Sequence, residues 1–84
     1  MIYYEEGNRY WCNDNYELHR EDGPAVEYVN GDRSWYRDGK PHREDGPAID
    51  WVSNGLQEWW FNGQQFNVNS QEEFERILKI KAFW

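Results

Sequence analysis

The chain has 84 residues, with nine Lys or Arg against sixteen Asp or Glu and a formal net charge of -7. That length allows one domain with a thin core, and that charge disfavours direct contact with nucleic acid or an anionic membrane, where Lys and Arg must neutralise phosphates. No stretch reaches the roughly 20 apolar residues needed to cross a bilayer, and the start Met1-Ile2-Tyr3-Tyr4-Glu5-Glu6 lacks the basic and then apolar regions of a signal peptide, so the expected location is cytoplasmic. Cys12 has no cysteine partner, which excludes an internal disulfide and fits a reducing compartment. Aromatic residues make up 19% of the chain, and because each large ring can bury roughly 150–250 Å² the expected core is a stack of rings.

In chain order, a repeat governs the pattern. Gly7 stands four residues before Trp11, as Gly31 does before Trp35 and Gly55 before Trp59. His19-Arg20-Glu21-Asp22-Gly23-Pro24-Ala25 returns letter for letter as His42-Arg43-Glu44-Asp45-Gly46-Pro47-Ala48, an offset of 23 residues. A period of that size marks stacked repeats, here about two and a half units. The expected fold is mainly β: stacked antiparallel β-hairpin repeats in a curved meander sheet, with one C-terminal α-helix. Residues 1–84 form a single domain, with the hairpins over 1–66 and the helix over 70–82.

Each unit reads as two short β-runs joined by a Gly-containing turn, for which Asn-Gly is the strongest local signal. Two-residue loops at Glu6-Gly7 and Asn30-Gly31 would pair Ile2 with Trp11, Tyr4 with Arg9, Val26 with Trp35 and Tyr28 with Arg33. A three-residue loop at Ser53-Asn54-Gly55 would pair Ile49 with Trp59 and Trp51 with Gln57. Since alternate residues share a face, one face would then carry Ile2, Tyr4, Trp11, Val26, Tyr28, Trp35, Ile49, Trp51 and Trp59, and form the core. The other would carry Ala25, Glu27, Tyr36, Ala48, Asp50 and Trp60, and be the working surface. The stretch from Asp38 to Pro47 reads as a compact return loop. From Ser70, the spacing of Phe74, Ile77, Leu78 and Lys81 becomes helical, and Ser70 with Glu73 forms a capping box. The helix, with Phe83 and Trp84, is expected to cover the open end or one face of the sheet.

Gly-x-x-x-Trp-Tyr/Trp-x-Asp/Asn-Gly followed by His-Arg-x-Asp-Gly-Pro-Ala resembles the MORN-like hairpin repeats, in a variant associated with small bacterial and bacteriophage proteins. The resemblance covers residues 2 to 65. It implies a non-catalytic scaffold for protein contacts, lying in the host cytoplasm if phage-encoded. Within that frame Trp11, Trp35, Trp59, Gly23, Pro24, Gly46 and Pro47 are structural repeat positions.

The candidate chemistry is sparse. His19 and His42 lie beside acids, yet a catalytic group is needed once whereas a turn-stabilising group is needed in every copy. Neither has Zn-ligand spacing, nucleophile motifs are absent, and no cofactor is expected. Pairs of Arg9 with Tyr4 and Arg33 with Tyr28 would be cation–π contacts. Tyr36, Trp60 and Phe61 are candidate anchors for a partner, unless the helix covers them, and Glu27 and Asp50 would complement a basic protein surface. The leading expectation is a small acidic protein-binding module that inhibits or sequesters a host protein. Alternatives are an acidic nucleic-acid mimic blocking the groove of a defence enzyme, and an aromatic platform for carbohydrate or lipid. The N-terminal edge strand offers a route to a symmetric dimer.

Overall fold

The computed structural model describes residues 1–81 of the chain. Phe83 and Trp84, and the last residue of the expected helix, lie outside the described residues. The elements are β1 (Ile2–Glu5), β2 (Asn8–Trp11), β3 (Val26–Glu27), β4 (Arg33–Ser34), β5 (Tyr36–Arg37), β6 (Lys40–Pro41), β7 (Ile49–Trp51), β8 (Leu56–Phe61), β9 (Gln64–Phe66) and α1 (Gln71–Lys81). Seven strands form one antiparallel sheet in the order β1-β2-β3-β4-β7-β8-β9, and β5 and β6 pair beside it. The architecture is a β-hairpin meander plus one C-terminal helix, with β1 as a sheet edge.

Two of the tight turns have a plain local cause. Asp38-Gly39 (φ 50° and 80°) joins β5 to β6, and Asn62-Gly63 (φ 49° and 81°) joins β8 to β9. Successive positive φ values define the hairpin turn whose twist matches its strands, and Asp-Gly and Asn-Gly tolerate them best. The expected return loop therefore begins with a hairpin, and only its second part, from His42 to Pro47, is a loop.

Register agrees with expectation in the first hairpin, where Ile2 pairs with Trp11 and Tyr4 with Arg9. It differs by one residue in the next two. Val26 faces Ser34 and Glu27 faces Arg33, while Ile49 faces Glu58 and Trp51 faces Leu56. The cause is a contact between loops. Asp32 is buried, with 5% of its surface exposed, and its carboxylate accepts hydrogen bonds from the Ser53 N–H at 3.0 Å and hydroxyl at 3.2 Å. So held, Asp32 faces Tyr28, whose N–H donates to the Asp32 carbonyl at 2.9 Å, and Val29 is drawn into a three-residue loop with Asn30 and Gly31. The Ser53 loop widens likewise, with Gly55 N–H donating to the Trp51 carbonyl at 2.8 Å.

A one-residue slip exchanges faces. Trp11, Trp35 and Trp59 still share a side, but their companions are Ala25, Glu27, Ala48 and Asp50 instead of Val26, Tyr28, Ile49 and Trp51. Ala25 and Ala48, expected on the working surface, are 0% exposed. Ile2 and Tyr4, expected in the core, are 48% and 70% exposed, because they sit on the edge strand.

The duplicated heptapeptide covers the tryptophan side. Arg20 lies over the Trp11 ring at 4.0 Å and Arg43 over Trp35 at 3.7 Å. Each guanidinium is held by its own loop: Arg20 bonds Asp22 and the Pro24 carbonyl, and Arg43 bonds Asp45 and the Pro47 carbonyl. The loops also stitch neighbouring units, through Arg20 N–H to Tyr36 and Arg43 N–H to Trp60. Each histidine does the same with its ring: Nδ1 of His19 accepts from Asp38 N–H and Nδ1 of His42 from Asn62 N–H, both at 3.0 Å.

In the third unit, Phe66 holds the histidine position, pairing with Trp59, and α1 replaces the arginine loop. Ser70 Oγ accepts the Glu73 N–H and Glu73 accepts the Asn69 N–H, so the expected helix start is capped. The apolar stripe of α1 then packs Phe74, Ile77 and Leu78 against Trp59, Phe66, Val68 and Phe61. No helix among the described residues is long and apolar enough to cross a membrane.

Candidate functional site

The side of the sheet opposite the tryptophan row is the candidate site. Pairing places Tyr3, Tyr10, Val26, Ser34, Ile49 and Glu58 in one row across six strands. Two residues further along their strands stand Tyr28, Tyr36, Trp51 and Trp60, on the same face by alternation. Val26 and Ile49, in the middle of that row between Tyr10 and Glu58, are 2% and 9% exposed. Tyr3 stacks on Tyr10 at 4.9 Å between centroids, and Tyr28 on Trp51 at 6.4 Å.

Glu58 sits among these rings. One carboxylate oxygen accepts the Trp60 indole N–H at 2.9 Å and the other the Trp51 indole N–H at 3.3 Å. The Tyr36 phenol has a raised pKa, first from burial and then from the Glu58 charge. Burial, followed by the neighbouring Tyr10 and Tyr36, raises Tyr28 as well. Both phenols thus keep their protons, and a hydrogen-bond donor, well above neutral pH.

Basic residues are segregated from this face. On the tryptophan side, Arg9, Glu27, Arg33 and Asp50 form a cross-strand row that continues to Gln57. Arg9 meets Glu27 at 2.7 Å and Arg33 meets Asp50 at 3.3 Å. Arg20 also approaches Glu27, at 3.6 Å. Half-exposed pairs of this kind contribute little stability, but like charges directly opposite would be unfavourable, so the alternation helps select the register. Arg37 and Lys40 pair with each other on that side too.

A groove of about 550 Å³ also lies there, between the two copies of the heptapeptide, lined by Trp35, His42, Arg20, Arg37, Arg43 and the adjoining acids. Its Arg20 and Arg43 are already bonded within their loops.

The expected site residues are therefore divided. Tyr36 and Trp60 belong to the aromatic face. Phe61 faces the helix, 4.6 Å from the His42 ring, while Glu27 and Asp50 are bound into the arginine row. Arg9 and Arg33 approach Trp11 and Trp35, at 5.9 and 5.6 Å, where Tyr4 and Tyr28 were expected. Tyr3, Tyr10, Tyr28, Trp51 and Glu58 join the site unanticipated. The signal that could have found them is the charge row, because only the observed register sets Arg9, Glu27, Arg33 and Asp50 opposite one another.

No family model, curated protein or solved structure matches the chain.

Proposed function

We propose that the chain is a non-catalytic protein-binding module, a MORN-like scaffold in which stacked hairpins present one aromatic face to a partner. The observation that carries this reading is the contiguous set of Tyr3, Tyr10, Tyr28, Tyr36, Trp51 and Trp60 on a side of the sheet that neither α1 nor the repeated loops cover. Monomeric proteins seldom leave a large apolar patch uncovered, and Trp and Tyr are the side chains that most often anchor interfaces. The acidic-mimic alternative draws no support from the sheet, where acids alternate with arginines instead of running in a phosphate-like row.

The test is affinity capture from a lysate with the wild-type chain and with Trp51→Ala and Trp60→Ala, each checked for folding by thermal melting. A stoichiometric protein retained by wild type and lost by the folded variants is the expected result. No retained protein, or equal retention by all three, would overturn the reading.

A further inference from the structure

Within this sheet two carboxylates are matched to arginines and two are not: Glu5, opposite Asn8 on the exposed edge strand, and Glu58, among the rings. Glu27 and Asp50 each face an arginine across the ladder. Glu58 faces Ile49, and among the described residues it makes no ion pair. Its oxygens receive only neutral indole N–H groups. The arginines and the lysine of the strands all lie on the opposite side, and none of them pairs with it.

Around this carboxylate stand aromatic rings whose faces carry negative electrostatic potential. A cation placed over Trp or Tyr is attracted by the ring quadrupole, more strongly where water is partly excluded. Carboxylate and rings thus favour the same occupant, and a second copy of this acidic chain presenting the same face would be repelled.

Resting on the protein-binding reading, we propose that the aromatic face receives a lysine or arginine side chain of the partner, seated against Glu58 and flanked by Trp51, Trp60 and Tyr36. Glu58 accepts the charge, the rings supply cation–π contact and apolar cover for the aliphatic stem, and the two indoles hold the carboxylate in place. This moves the acidic determinant of partner choice from Glu27 and Asp50, which arginines neutralise, to Glu58.

The indole N–H groups that hold Glu58 are themselves the reporters. In a ¹H–¹⁵N correlation experiment, titrating N-acetyl-pentalysine amide at low salt should move the Trp51 and Trp60 indole resonances saturably and leave Trp11 and Trp35 in place. Glu58→Gln keeps the shape and an acceptor oxygen, and should weaken the apparent Kd at least tenfold with an unchanged melting profile. Wild-type affinity in Glu58→Gln would overturn the proposal. So would shifts confined to the Glu21-Asp22 and Glu44-Asp45 loops, or a neutral hexasaccharide moving the two indoles where pentalysine does not. In the capture experiment, Glu58→Gln retaining a partner that Trp51→Ala and Trp60→Ala lose would sink this inference and leave the binding module standing.

Discussion

Arg43 can lie flat over Trp35 only because the residue three positions on has no side chain. A Cβ built on Gly46 would stand 2.6 Å from the Arg43 guanidinium carbon, and one on Gly23 would stand 3.0 Å from that of Arg20. Neither glycine is among those with positive φ, so close approach is the requirement at both. The atoms met are the end of a flexible side chain, so the cost is that of moving the guanidinium off its ring, about 0.5–2 kcal/mol for a cation–π contact. Gly46→Ala is expected to lie in that range and Gly23→Ala below it, read by urea unfolding. Equal losses would show that the arginine contact is not what the glycine protects. The repetition of His-Arg-Glu-Asp-Gly-Pro-Ala was legible as architecture, but the division of labour within it was not. Arginine as the lid, Asp and the Pro carbonyl as its clamps, and histidine as the acceptor for the next turn emerge only when successive units touch.

At the scale of elements, α1 substitutes for a third heptapeptide. Eleven residues are too few to hold a helix in water by propensity alone, so its stability comes from docking. Phe74 is fully buried and meets Phe66 edge-on at 5.4 Å. Gln71 takes the Trp59 indole N–H at 2.8 Å and donates to the Glu44 carbonyl at 2.8 Å, tying the helix to both neighbours. Removing a buried ring typically costs about 3–5 kcal/mol, and Phe74→Ala should lose that much. Its helical circular dichroism should then melt together with the sheet; a helix melting separately would contradict docking as its support. The strands were harder to read than the helix. Asn30-Gly31 and Asn62-Gly63 look alike locally, yet one lies in a wider loop and the other is a two-residue turn. The difference lies in Asp32 and its capture by Ser53, a contact spanning 21 residues.

On the scale of the whole molecule, the sheet confines its basic side chains to the tryptophan side, where acids pair with them, and leaves an acid without a cation among the rings behind. The molecule is thin, 17 Å along its shortest axis, so burial depends on side chains folding over one another, and besides the tyrosines it catches His42 and Asp32. Burial, aided by Arg37 and opposed by Glu44, lowers the His42 pKa below 6.5. The Ser53 N–H, with further hydrogen bonds, lowers that of Asp32 below 3.8 against the effect of burial. In each case the unfolded chain binds the proton more readily. The contribution of His42 is full above pH 6.5 and declines as the pH falls from there towards its folded-state pKa. That of Asp32 declines below pH 3.8. Melting temperature measured against pH should therefore fall in two stages. His42→Asn, which retains an acceptor for Asn62 N–H but does not titrate, should be less stable throughout and flat across the first stage. A first stage that persists in this variant would exclude His42 as its source.

What the residues settle unaided is whatever depends on neighbours in the chain: the period, the β class, the turn-forming glycines, the capped helix and the common side of Trp11, Trp35 and Trp59. Folding alone decided which face the other side chains joined, because side-chain alternation has a period of two and a single residue drawn into a loop inverts all that follows. Val29 is that residue, and it is put there by the capture of Asp32. The partner of Asp32 lies in another hairpin, so the aromatic face, and Glu58 within it, come into being only when the hairpins stack.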